Sequence, residues 1–248
     1  MRIAIISDIH GNLGALEAVS EDMRNRAIDA VVNLGDSLSG PLLPMETAQF
    51  LMAQDWIHLA GNHERQILTL TAGAAEASDV YARSRLSQKQ LDWIASLRPW
   101  QRYSKEVLLC HGTPDHDQEY FLETAAHGRT RLASAQEIQE RLGTVDAMLI
   151  ACGHTHVPRS VRTTRGQLIV NPGSVGLPAY DDDHPCYHVV ENGSPDARYA
   201  IVELRGSRWT SELIAVPYNH VAMSQLARLH GREDWGCALQ TGYMSAMR

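Results

Sequence analysis

Short apolar runs that stop at residues able to bind metal constrain this chain more than any other feature of its sequence. Ile3–Ser7, Ala30–Leu34, Trp56–Ala60, Val107–Cys110, Ala147–Ala151 and Leu168–Val170 have the length of core strands and are too short for buried helices. Behind the first five come Asp8-Ile9-His10, Gly35-Asp36, Gly61-Asn62-His63-Glu64, His111-Gly112 and Gly153-His154-Thr155-His156. Ligands of open α/β sheets bind outside the carboxyl ends of strands, so five clusters placed this way converge on one sheet edge.

Between the first two runs, Leu13, Leu16, Val19 (or Ser20), Met23 and Ala27 recur at helical spacing, which makes residues 2–36 a strand–helix–strand crossover. Ser87 with Gln90 forms a capping box, Leu86 and Leu91 a hydrophobic staple, and Pro99 a stop, which predicts a helix over 87–97. Glu137–Leu142 reads as a further helix. Beyond 168 the pattern turns to strands, with Tyr199–Leu204 and Trp209–Val216 joined by a Gly206-Ser207 turn, so a mixed sheet is antiparallel in its second half. Residues 219–248 form a partly helical tail with no legible chemistry. No repeat or linker divides the chain, and 1–248 reads as one domain.

The donor types point to catalysis. Asp, His and Asn suit Mn, Fe, Zn or Ni, and the absence of cysteine among them argues against a structural thiolate zinc site. On an extended segment residues i and i+2 point the same way, so Asp8 with His10, and His154 with His156, can each face one pocket while Ile9 and Thr155 face away. Asp8, His10, Asp36, Asn62, His111, His154 and His156 make seven donors, too many for one tetrahedral ion and suited to two ions sharing a carboxylate. Two metals about 3.5–4 Å apart activate a water and stabilise a departing oxygen, and hydrolysis of a phosphate ester is the reaction this serves. A lone Gly-Asp or His-Gly is most often an ordinary turn; the five clusters in order, each behind a strand, are not.

These five motifs resemble those of calcineurin-like metallophosphoesterases, and Asn171-Pro172-Gly173-Ser174-Val175-Gly176 with His111-Gly112-Thr113-Pro114 resembles the small prokaryotic, phosphodiesterase-type branch. The resemblance implies an α/β fold, a four-layer α/β/β/α sandwich with two mixed β-sheets and a dinuclear site at the sheet edge. It implies that Asp8, His10 and His156 hold one metal, that Asn62, His111 and His154 hold the other, and that Asp36 bridges them. It also implies that His63 is the histidine that protonates the leaving oxygen. Two departures narrow the substrate. The Arg that follows the second motif in protein phosphatases is missing from Gly35-Asp36-Ser37-Leu38-Ser39-Gly40, and Pro178 is followed by Ala179-Tyr180-Asp181-Asp182-Asp183 where a basic residue often stands. Small phosphodiesters are therefore expected over phosphoproteins or polyphosphates. A dinucleoside polyphosphate hydrolase, a phosphoprotein phosphatase and, from another class, a non-catalytic scaffold of the same fold are the alternatives. Arg129, Arg131 and His116 are further candidates for substrate contact.

Composition supports this reading. A net charge of −7 disfavours a partner held by its phosphate backbone, so stable nucleic-acid binding is not expected. No apolar stretch reaches membrane length, and four scattered cysteines without a CxxC spacing suggest a reducing, cytoplasmic setting. Cys110 and Cys152 read as small core residues. A homo-oligomer stays open.

Overall fold

The computed structural model describes residues 1–70 and 76–244. Its first sheet runs in the order β14 (Arg208–Val216), β13 (Ala197–Arg205), β1 (Arg2–Ile6), β2 (Ala30–Asn33), β3 (Ile57–His58). Strands β1, β2 and β3 are parallel, and β13 is antiparallel to both β1 and β14. The second sheet runs β4 (Trp100–Ser104), β5 (Val107–Cys110), β8 (Leu149–Ala151), β10 (Leu168–Asn171), β9 (Arg159–Arg162), with a parallel centre and antiparallel edges. Gly206 and Ser207 make the expected two-residue turn, Gly206 taking φ +62° as such a hairpin requires.

Packing defines the layers. Ile3, Ile5, Val32 and Leu34 of the first sheet meet Leu109, Leu149, Ala151 and Val170 of the second in a buried core between the sheets. The outer face of the first sheet (Ala4, Ile6, Tyr199, Ile201) is covered by helix α1 (Leu13–Arg24), through Ala15, Leu16, Val19 and Met23. Of the expected 3.6-residue stripe, Leu16, Val19, Ser20 and Met23 are buried and Leu13 partly so, whereas Ala27 is exposed beyond the end of the helix. The outer face of the second sheet (Leu108, Cys110, Ile150, Ile169) packs on Ile138 and Leu142. Cys110 and Cys152 are core residues, as expected. The result is the four-layer α/β/β/α sandwich.

Helices α2 (Pro44–Met52), α3 (Asn62–Leu68), α4 (Ala77–Arg85) and α5 (Gln88–Ser96) form a cluster beside the first sheet, and α6 (Ala135–Leu142) completes the far layer. The capping boxes of α5 at Ser87/Gln90 and of α6 at Ser134/Glu137 are both formed. Beyond expectation lies a third sheet, in the order β11 (Ala179–Asp182), β12 (His188–Glu191), β7 (Gly128–Leu132), β6 (Glu123–Ala126). Its strands are largely half-exposed and carry no apolar run, so nothing in the pattern marked them. The tail holds α7 (His220–Leu229) and α8 (Glu233–Thr241), which pack Ala227, Trp235, Ala238 and Leu239 against Leu42, Leu177 and Ala179. The last four residues of the tail lie outside the described residues.

Candidate metal centre

All five clusters meet at the carboxyl edge of the two sheets. The loops after β1 and β2 run side by side, with Asp8 N donating to Gly35 O at 3.0 Å, His10 N to Asp36 O at 3.0 Å and Gly11 N to Ser37 O at 2.9 Å. The loop after β3 is brought in by close backbone approach. A Cβ on Gly35, whose φ is +109°, would sit 2.3 Å from Gly61 N, and one on Gly61 would sit 2.2 Å from Asp36 Oδ1, so neither position admits a side chain. Glu64, fully buried, fixes both loops, since its carboxylate accepts from Asp36 N, Ser37 N and Gly61 N, each at 2.8 Å. The Asn-Pro-Gly-Ser loop closes the far side, where Ser174 Oγ and Gly176 N both donate to Asp8 O.

Two groups of donors result: Asp8 with His10 and His156, and Asp36 with His111 and His154, the offered atoms of each group lying within 4.8 Å of one another. The route differs from the expected pleat. Asp8, His10, Asp36, His154 and His156 have φ of +56°, +52°, +54°, +67° and +56°, so the paired residues converge through left-handed turns and not along extended strands. The physical reason is that the loops must fold back over the sheet edge. Each such residue costs roughly 1–2 kcal/mol, and strain of this kind collects where function requires a fixed side-chain direction. Ile9 and Thr155 do turn away, both buried.

The hydrogen bonds settle which imidazole atoms are bare. His10 Nδ1 donates to Ser39 O at 2.9 Å and His156 Nδ1 to Leu177 O at 2.7 Å, yet their Nε2 atoms face each other at 3.1 Å. In neutral rings these are two lone pairs in contact, a repulsion that a cation between them removes. His111 Nδ1 donates to Leu34 O, and its Nε2 lies 3.0 Å from Asp36 Oδ2 and 3.1 Å from Asn62 Oδ1, while Asn62 Nδ2 is turned to Gln66. His154 Nε2 donates to Gln118 O, which leaves its Nδ1 bare. Asp8 Oδ1 is buried, 3.4 Å from His156 Nε2, and accepts no hydrogen bond.

Charge states follow from burial. Burial and the neighbouring His156 push His10 down to about 3, and burial with His111 beside it pushes His154 down to about 4, so both rings are neutral donors. For Asp36 and Asp8 burial works upward, but the surrounding histidines hold both below the usual carboxylate value. Burial works to lower His111, and Asp36 overcomes it and raises the ring to about 9. That pair calls for a positive charge between its atoms, which a proton or a metal ion supplies.

His63 stands apart from both groups. It lies on α3, lines the cavity, and its Nδ1 donates to Asp79 Oδ1 at 2.9 Å, which leaves Nε2 for a substrate. Burial lowers its basicity, and Asp36 and Asp79 outweigh this, raising it to about 10. Asp79, on α4, was not singled out from the sequence, and Glu64 stood there only as the last residue of the Gly-Asn-His-Glu run, with no role assigned.

Above the donors opens a cavity of about 1230 Å³. His116 is in its lining; Arg129 and Arg131 are not. Both arginines lie on β7, where Arg129 pairs with Glu191 and Arg131 with Glu137, so neither of these two candidates for substrate contact reaches the cavity. The tail supplies a wall that the sequence did not reveal: Arg232, Asp234, Trp235, Ala238 and Met244 line the cavity, and the Trp235 ring lies edge-on to His10 at 5.9 Å.

The model of the calcineurin-like phosphoesterase superfamily domain matches residues 1–194, and the chain belongs to that superfamily, whose members are hydrolases. It is 26% identical over 201 residues to the uncharacterized protein MJ0912 of Methanocaldococcus jannaschii, spanning 71% of this chain and 76% of that one. Its fold superposes on a metallophosphoesterase from Sphaerobacter thermophilus with a TM-score of 0.77 and 27% identity, covering 98% of this chain and all, 100%, of the other. Protein PH1004 of Pyrococcus horikoshii shares the fold at a TM-score of 0.74 and 16% identity, with coverage of 98% and 99%.

Proposed function

We propose that this chain is a dinuclear metal-dependent phosphoesterase acting on small phosphodiesters. The observation that carries the reading is the pair of bare Nε2 atoms of His10 and His156 at 3.1 Å, each ring fixed by an Nδ1–H donated to a backbone carbonyl. Asp8, His10 and His156 would hold one ion, Asn62, His111 and His154 the second, and Asp36 both. The nitrogen and oxygen donors suit Mn, Fe, Zn or Ni. When bound, two such ions supply a nucleophile at neutral pH and countercharge for an in-line displacement.

The chain's own residues do the rest. His63, oriented by Asp79, gives its proton to the leaving oxygen, and Glu64 keeps the loops carrying Asp36 and Asn62 in register. The guanidinium groups of the cavity lining, Arg141 and Arg232 among the described residues, are occupied: Arg141 by the carbonyls of Phe121 and Glu123, Arg232 by Asp234 and Ser78. A monoester dianion needs more countercharge than a diester monoanion, which favours the diester and disfavours polyphosphates and phosphopeptides. Four unpaired cysteines support a reducing, cytoplasmic setting. No helix among the described residues is long and apolar enough to cross a membrane.

Steady-state kcat/KM of metal-loaded protein for a diester and a monoester sharing one aryl leaving group tests the reading. The diester is expected to be hydrolysed at least as well. A clear monoester preference contradicts it.

A further inference from the structure

The helix that orients His63 is held in place from outside itself. Asp79, on α4, accepts the His63 Nδ1–H, and its side chain is buried at 1% exposed. The buried residues of α4 are Ser78, Asp79 and Ala82, so a single methyl group is the apolar side chain the helix sinks. Apolar burial of that size anchors a helix weakly. Its first turn lacks a side-chain cap as well, since Glu76 at the N-cap makes no such hydrogen bond. Polar contacts must therefore set where this turn sits. A shift of about 1 Å would carry the bond between Asp79 and His63 out of hydrogen-bonding range.

Those contacts come from the tail. Arg232, at the N-cap of α8, donates from Nη1 to the Ser78 hydroxyl at 2.9 Å, one residue before Asp79. Its guanidinium is fixed in turn: Nε and Nη2 donate to Asp234 at 3.0 and 2.7 Å, and the group lies 5.5 Å from the centre of the Trp235 ring. Further along α4, Tyr81 packs its ring on His230 at 5.0 Å, and His230 Nδ1 donates to Pro41 O at 2.6 Å. The tail thus joins α4 to the loop that follows Asp36. Both anchors, His230 and Arg232, lie beyond residue 194, where the match to the superfamily ends.

We infer that Arg232 is a positioning residue for the proton donor: through the Ser78 hydroxyl it latches the first turn of α4, so that Asp79 keeps the His63 ring directed at the cavity. The inference rests on the reading of His63 as proton donor and names what holds that residue in place. Arg232 touches neither substrate nor metal in this role; it acts through Ser78 and Asp79.

Ser78→Ala removes the latch and leaves Arg232, Asp234 and Trp235 unchanged, and two readouts on zinc-loaded, full-length protein test the idea. The first is kcat on phenyl methyl phosphate and p-nitrophenyl methyl phosphate, with His63 intact and in the His63→Gln background. Ser78→Ala is expected to lower kcat for the phenyl ester by about tenfold, within the roughly 100-fold that a misplacement of about 1 Å can cost. The loss should be smaller for the p-nitrophenyl ester, whose leaving group needs less protonation, and metal content should stay at the wild-type level. In the His63→Gln background Ser78→Ala should add no loss, because both changes act on one step. Arg232→Gln should give the same pattern. No loss with His63 intact, or an equal loss without it, overturns the inference.

The second readout is the low-field proton resonance of His63 Nδ1–H, identified by its absence from His63→Gln. It is expected to shift or broaden in Ser78→Ala. If His63→Gln is as active as wild type, the proton-donor reading fails, and if neither ester is turned over, the diester reading fails. In either case the resonance decides the latch alone: displaced in Ser78→Ala it upholds the inference, and unmoved it overturns it.

Discussion

At the scale of single residues, the site sorts its histidines by which nitrogen is already spent. His10, His111 and His156 donate Nδ1–H to backbone carbonyls and His154 donates Nε2–H to one, so each turns its other nitrogen inward. His63 instead faces a carboxylate, Asp79, and this separates the proposed proton donor from the proposed ligands. Two outcomes follow. His63→Gln should lower kcat by about 10²–10⁴-fold, the range for loss of a general acid, with metal content close to wild type. The defect should shrink for very acidic leaving groups; metal loss equal to that of His156→Gln would contradict the assignment. Asp36→Asn should remove most activity and metal affinity, since a neutral amide cannot offset the repulsion of two cations, and elemental analysis of the purified variant reads this directly. The ligand types were legible because Asp, Asn and His recur behind apolar runs. Asp79 was not, because its partner lies sixteen positions away on another helix and nothing local marks it.

The elements explain how far a pattern can be read. β1, β5 and β10 and helices α1, α5 and α6 were legible because each either buries an apolar run or shows a stripe and a cap, and β2 because its half-buried apolar run completes a crossover with two such elements. The third sheet escaped notice because its strands are half-exposed, and α3 because its seven residues begin inside the Gly-Asn-His-Glu motif. β3, only two residues long, carries His58, which is packed on Trp93 and Trp56 and pushed by burial down to about 4. Its folded form stays neutral where the unfolded chain, with an ordinary value near 6.5, takes up a proton. Its contribution to stability is therefore complete above about pH 6.5 and is lost as the pH falls toward 4. Denaturant unfolding across that window should show a shallower loss of stability for His58→Gln than for wild type, and parallel pH profiles would contradict the argument. In the tail, Trp235 is 7% exposed, caps the cavity and touches the His10 ring edge. Trp235→Ala should destabilise by about 3 kcal/mol, at the lower end for large aromatic truncations, and alter KM for diesters. A change in melting temperature without any change in KM would show the tail to be purely structural.

For the molecule as a whole, the sandwich holds in place a strained edge on which the candidate metal donors converge. Five left-handed, non-glycine residues and facing acceptor atoms are held by two sheets, by Glu64 and by the loop through Ser174. Ligands that bind the folded chain and not the unfolded one add stability by mass action, about 2.7 kcal/mol at a hundred times the dissociation constant. Chelation should accordingly lower the melting temperature, and graded return of Mn, Zn or Ni should restore it in proportion to the logarithm of free metal. The central claim is that the converged donors hold two ions sharing Asp36. Anomalous scattering from crystals of chelator-free, metal-saturated protein tests it most directly. Two peaks per chain, one within coordination distance of Asp8, His10 and His156, the other of Asn62, His111 and His154, and both reached by Asp36, is the result expected; a single peak without Asp36 among its ligands would contradict it.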